Sequence, residues 1–237
     1  MKFSIKTFVS VLSIAASAFA ANWTGATLEP TIMQSGDTTF YAISSAEELA
    51  WFAEQVNAGS TAINGKLLND ITLWSADVCD TCTTTMWTPI ANKFTLAYKG
   101  VFDGDGFTIS GIHIRDSLAS TSDSLFVGLF GVLDSVGVIR NVLVDNSFIS
   151  SYSTSTSALV ATGGIVGYSE GTLERLVFND TVRTNGGALG GIVGYASGNV
   201  RIKSCVLGEN AYVDHTKSNL GGDNYAGGVA GYVKGNG

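Results

Sequence analysis

The sequence predicts an all-β fold, a right-handed parallel β-helix closed at its N-terminal end by one helix. A Gly-Φ-Φ-Gly signature (Φ apolar) recurs as Gly128-Leu129-Phe130-Gly131, Gly164-Ile165-Val166-Gly167, Gly191-Ile192-Val193-Gly194 and Gly228-Val229-Ala230-Gly231. The last three follow another Gly and precede Tyr168, Tyr195 and Tyr232. Self-similarity at this period marks stacked units that bury one another's apolar faces. Composition agrees: 29 Gly, 2 Pro and 14% charged residues, in a chain rich in Val, Ile, Thr and Ser, describe tightly turned strands. Handedness follows the crossover preference of parallel strands.

Taken in order, residues 1–20 read as a secretory signal peptide. Lys2 and Lys6 make a basic start, Phe8 to Phe19 is largely apolar, and Ala18-Phe19-Ala20 sets cleavage after Ala20. That run is too short to span a bilayer, and no later stretch approaches the length a span needs. The expected location is extracellular or on a bacterial cell surface. A net charge of −7, more negative once the two lysines are removed, argues against nucleic acid or anionic lipid as partner.

Residues 21–39 form a short polar leader, and residues 40–115 an N-terminal cap with the first coils. Phe40-Tyr41-Ala42-Ile43 is a predicted strand. Ser45 and Glu48 form a capping box, Leu49, Phe52, Ala53 and Val56 share one helical face, and Gly59 ends the helix. Such a helix covers coil edges that would otherwise template aggregation. Short strands follow at 66–68, 71–73, 98–102 and 107–112. Between the last two, Asp103-Gly104-Asp105-Gly106 reads as a tight turn in preference to a calcium loop, because Phe107 begins a strand where further oxygen ligands would be needed.

Residues 116–237 carry the repeats. Gly137–Val142 aligns with Gly171–Leu176, and Ile202-Lys203-Ser204-Cys205 supplies the third copy after an insertion at Gly198. Apolar residues three apart within this second segment imply a bend or bulge. Ser150 to Thr162, rich in Ser and Thr, is expected to loop out of one coil. The fourth unit stops where earlier copies begin their second strand, which reads as a truncated record or a piece of a longer protein.

Few residues are left over for chemistry. Cys79 and Cys82 are expected to form a short disulfide pinning a surface loop, since neither a βαβ context nor two further zinc ligands accompany them. His113 and His215 stand alone, so no metal or cofactor is expected. Cys205 takes the place of Val142 and Leu176 and reads as a small buried hydrophobe. Gly167-Tyr168-Ser169-Glu170-Gly171 matches the Gly-x-Ser-x-Gly nucleophile elbow, yet Ala196 and Val233 fill the same slot in sister copies, so Ser169 belongs to the repeat. A carbohydrate-active β-helix would need clustered carboxylates with Arg or Lys, for which the candidates are Asp145, Asp180 and Glu209, at roughly equivalent positions in the three units, with Arg140, Arg175 and Lys203 nearby. Solvated outward charges explain them equally well, and no catalytic residue is assigned. The binding candidates are Tyr168, Tyr195 and Tyr232: pointing outward they form an aromatic strip for sugar rings or a partner's side chains, and pointing inward a core ladder. The inward direction is the one expected. Asn-x-Thr sites at Asn22 and Asn179 would matter in a glycosylating host.

Gly-Gly-Ile-Val-Gly-Tyr, followed by a Gly turn and an apolar strand, resembles the GLUG repeat of bacterial surface proteins. Tyr41 to Leu49, Trp87-Thr88-Pro89-Ile90 and Gly100 to Gly111 are similar to the segment that commonly precedes those repeats. The resemblance implies a secreted or surface-attached bacterial protein, of the kind known from adhesins and from immunoglobulin A metallopeptidases. A peptidase centre would need His-Glu-x-x-His, which is missing here. The function expected is an adhesion or binding module, with an extracellular glycan or a host or surface protein as partner. The alternatives are a carbohydrate-active enzyme and the non-catalytic part of a longer surface peptidase.

Overall fold

The computed structural model describes residues 22–118, 124–155, 157–216 and 224–235. The signal-peptide reading of residues 1–20 lies outside them. The chain is a β-solenoid of about five turns with an N-terminal helix.

Each regular coil contributes one strand to each of five parallel faces. The first face stacks Val101–Asp103, Val138–Arg140, Thr172–Glu174 and Arg201–Lys203. The second stacks Thr108–Ser110, Leu143–Asp145, Val177–Phe178 and Val206–Leu207. The third stacks His113–Leu118, Phe148–Ser153, Thr181–Thr184 and Tyr212–His215. The fourth stacks Leu125–Val127, Val160–Gly163, Ala188–Gly190 and Tyr225–Gly227. The fifth stacks Phe130–Leu133, Val166–Ser169, Val193–Gly198 and Ala230–Gly235.

Register turns sequence repetition into side-chain ladders, because equivalent residues lie about 4.8 Å apart along the axis. Phe102, Ile139, Leu173 and Ile202 stack inward from the first face, and Ile109, Val144, Phe178 and Leu207 from the second. Ile165 donates its N–H to the Ile192 carbonyl and Ile192 to that of Val229, so the signature aliphatics lie one above another. Each fully buried aliphatic contributes about 1.5–3 kcal/mol.

The apolar spacing of three comes from a corner. Asn141, Arg175 and Ser204 occupy equivalent places between the first and second faces, each with φ between 53° and 57°. The backbone turns sharply there, and Val142, Leu176 and Cys205 point back toward the core. The Asp103–Gly106 segment is a turn at the same corner in the preceding coil, with Asp105 at φ 52° and Gly106 at φ 90°. Asp103 closes it by accepting the Asp105 N–H.

The helix α1 (Ala46–Asn57) begins at Ser45, whose hydroxyl accepts the Glu48 N–H, while Glu48 reaches back to the Ser44 N–H at 2.6 Å. Leu49, Phe52 and Val56 are fully buried, and Phe52 packs against Tyr98 and Phe102. Before it, Thr31–Ser35 pairs antiparallel with Thr38–Ile43, which in turn pairs parallel with Gly65–Leu67 and extends the first face. The expected polar leader therefore contains a strand, and Trp23 within it is buried. The Ser150–Thr162 loop needs a correction as well. Residues 150–153 and 160–162 belong to strands.

Candidate functional site

The tyrosines resolve neither as a core ladder nor as a free strip. After the Gly-Φ-Φ-Gly turn the fifth strand of each coil runs back beside the fourth, and a second apolar cluster forms between them, separate from the main core. One column of it is Phe126, Ala161, Ala188 and Tyr225, and the facing column is Val132, Tyr168, Tyr195 and Tyr232. Ala161 and Ala188 stand in the coils of Tyr168 and Tyr195, where the small residue leaves room for the ring, whereas Tyr232 meets Tyr225. The expected core packing is met in part: Tyr168 is buried, but in this second cluster, because the glycines bring two strands so close that the rings lie outside the main core. Gly194, for example, has the Thr162 backbone N only 2.5 Å from where a Cβ would stand.

Within this cluster Tyr168 and Tyr195 stack at 5.3 Å and 15°, Tyr195 meets Tyr232 at 4.8 Å, and Tyr225 meets Tyr232 at 4.4 Å. Phe94 closes the other end edge-on to Phe126 and Tyr168. Tyr168 is only 8% exposed, while Tyr195 and Tyr232 are half-buried. The strip opens toward Tyr232 into a cleft of about 340 Å³, lined also by Leu159, Ala188 and Lys234. Burial first raises the Tyr168 phenol above its usual pKa; Ser197 opposes this, and Glu170, which accepts a hydrogen bond from it at 2.9 Å, adds to it. Burial and neighbouring Tyr232 likewise raise Tyr195. Both rings therefore remain neutral hydrogen-bonding platforms across physiological pH.

Sequence reasoning missed Phe94, Phe126 and Tyr225. For Tyr225 a signal existed, since Ala161, Ala188 and Tyr225 each stand three residues before a signature Gly. Phe94 comes from the irregular first coil, where the repeat gives no guide.

The other candidates are held apart. Arg140 pairs with Asp103, Arg175 with Glu174, and Lys203 with Glu174. Asp103, Arg140, Glu174 and Lys203 are thereby one outward ladder of alternating charge on the first face. Burial raises the Asp103 carboxyl, but hydrogen bonds from Asn141 and the Asp105 N–H, then the Arg140 charge, bring it below the usual range. Asp145, Asp180 and Glu209 are not all equivalent. The register sets Asp145 opposite Asn179, one place before Asp180. Asn179 donates to Asp145 and accepts the Asn210 N–H, while Asp180 accepts the N–H groups of Ser147 and Thr181. Asn22 accepts from Ser75, so both sequon asparagines serve the fold.

Ser169 lies in register with Leu133 and Ala196, fully buried, and its hydroxyl has no hydrogen-bond partner among the described residues. An orphaned buried hydroxyl costs about 1–3 kcal/mol. Ser169→Ala is expected to stabilise the protein by about 1 kcal/mol, seen as a rise of about 2–4 °C in Tm. A fall would show that the hydroxyl has a partner.

Cys79 and Cys82 are disulfide-bonded, their Cα atoms 5.2 Å apart. Cys205 is a free thiol packed beside the main core, its pKa raised by burial. His113 is buried and hydrogen-bonds Thr84 through Nδ1. Burial, then the Arg115 charge, lowers its pKa. His215 sits elsewhere on the third face. Among the described residues no cluster of His, Cys, Asp or Glu could hold a metal ion, and no helix is long and apolar enough to cross a membrane.

No family model matches the chain, and no solved structure does. A curated protein that is similar is halomucin of Haloquadratum walsbyi, 38% identical over 99 residues, or 41% of this chain. The matched region is 1% of the length of halomucin.

Proposed function

We propose that this chain is a secreted or cell-surface binding module of the GLUG-repeat kind, an adhesion element that meets its partner through Tyr195 and Tyr232, the open end of a strip whose buried end is Tyr168. The observation that carries this reading is the strip itself. A β-solenoid needs its inward ladders to fold, yet here aromatic rings are stacked in register outside that core and end in an open cleft. Stacked neutral phenols offer flat apolar faces with hydrogen-bonding tips, a surface suited to sugar rings or to a partner protein's side chains. The partial likeness to halomucin, a mucin by its name, supports a setting outside the cell. Side chains that a carbohydrate-active site would need are engaged in corner and ladder contacts, so the proposal assigns no catalysis.

The test is binding of the purified mature chain to glycan and extracellular-protein arrays. Tyr195→Ala and Tyr232→Ala are each expected to weaken the captured interaction about ten-fold, the usual scale for a central aromatic contact, with the fold retained by circular dichroism. Unchanged binding in both variants would remove the strip from the contact surface.

A further inference from the structure

A second concave surface lies on the third face, away from the tyrosines. It is a groove of about 490 Å³ whose floor is the outward side of the strands His113–Leu118, Phe148–Ser153 and Thr181–Thr184. The loop that carries the disulfide forms one wall, contributing Asp80 and Met86. Arg115, Ser150 and Arg183 form one column across the floor, so the two arginines stand two strands apart, about 10 Å along the axis.

The polar groups here are pre-set. Arg183 donates from Nε to Asp214 at 2.7 Å, and its guanidinium carbon lies 5.8 Å above the Phe148 ring. Its two terminal amino groups have no hydrogen-bond partner among the described residues. Arg115 is held in the same way, its Nε 3.3 Å from Asp80. Asp116 accepts the Ser117 N–H with one oxygen, leaving the other to the groove. Tyr152, paired on one side only with Ser117, lines the groove and is 55% exposed. Such rings stay exposed at the cost of about 25 cal/mol per Å² of apolar surface left in water.

From this we infer that the groove binds a neutral oligosaccharide. Guanidinium donors stand beside carboxylate acceptors in one wall, an arrangement that suits hydroxyls, which both donate and accept. Asp80 pairs with Arg115 and Asp214 with Arg183, and Asp116 adds a further negative charge, so an anionic ligand gains no net attraction, whereas a pyranose ring finds the Tyr152 face. The volume falls in the range of small-ligand clefts. Asp80 stands between Cys79 and Cys82, so the disulfide holds this acceptor in place and reduces the ordering cost of binding. The inference stands on a different face from the tyrosine strip and does not depend on it.

The experiment titrates the disulfide-intact mature chain with neutral tetrasaccharides built of glucose, galactose or mannose, using tetragalacturonate as the charged control. Calorimetry gives affinity and backbone amide shifts give location. A neutral tetrasaccharide is expected to bind and to shift amides of 115–117, 150–152 and 183. Tyr152→Ala, an exposed change that leaves the fold alone, and Arg183→Gln are each expected to weaken it about ten-fold, with a smaller loss in the Cys79→Ser, Cys82→Ser double variant. Tyr195→Ala is expected to bind as the parent does, which separates this site from the strip. Absence of binding at millimolar neutral sugar, preference for the uronate, or binding that survives both Tyr152→Ala and Arg183→Gln would each overturn the inference.

Discussion

Gly190→Ala is expected to cost about 3 kcal/mol or more, enough to unfold a large share of a domain of ordinary stability. Gly190 ends a fourth-face strand just before the signature turn. A Cβ there would fall on the Val193 carbonyl oxygen and come within 2.7 Å of the Gly231 backbone N in the next coil. Neither obstacle is a flexible side chain, so relief requires moving the fourth-face and fifth-face strands apart. The matched control is Gly186→Ala, where the nearest heavy atom would be 3.6 Å away, and which is expected to change stability by no more than about 0.5 kcal/mol. Urea titration of both variants is the measurement. A Gly190→Ala protein as stable as its parent would mean that the two strands are not packed back to back.

Phe52→Ala is expected to lose about 3–5 kcal/mol, the usual cost of emptying a buried aromatic site. Phe52 is fully buried where α1 meets the first coil, with its ring 6.0 Å from Tyr98 and 5.7 Å from Phe102. Loosening α1 also uncovers the end of the stack, so the variant is expected to aggregate during thermal unfolding at concentrations where the parent remains clear. Light scattering alongside a urea titration reads both effects. A loss below about 1 kcal/mol would show that α1 is peripheral to the cooperative unit and not its cap.

How much of this was legible depended on whether a residue's environment repeats. Ile165, Ile192 and Val229 announce their own stacking, because a coil that repeats in sequence must repeat in space for its apolar residues to be covered. The same logic placed Ser169 opposite Ala196 and Cys205 opposite Leu176. Ser45, Glu48 and the apolar face from Leu49 to Val56 mark the helix by local chemistry alone. Asp180 shows the limit of the method. Repeat spacing sets it roughly level with Asp145, whereas the hydrogen-bond register shifts it by one residue.

The residues alone determined that this chain winds into stacked coils, which end the helix covers, and which slots must be filled by glycine or an aliphatic, because those demands act locally or repeat with the coil. Tertiary structure decided the corners at Asn141, Arg175 and Ser204. Left-handed backbone at an arginine costs about 1–2 kcal/mol, and no local preference asks for it. Only the neighbouring coils, stacked in register above and below, hold it there. Tertiary structure also decided where the tyrosines point, since that depends on how closely two non-adjacent strands approach, a distance that no single segment of the chain contains.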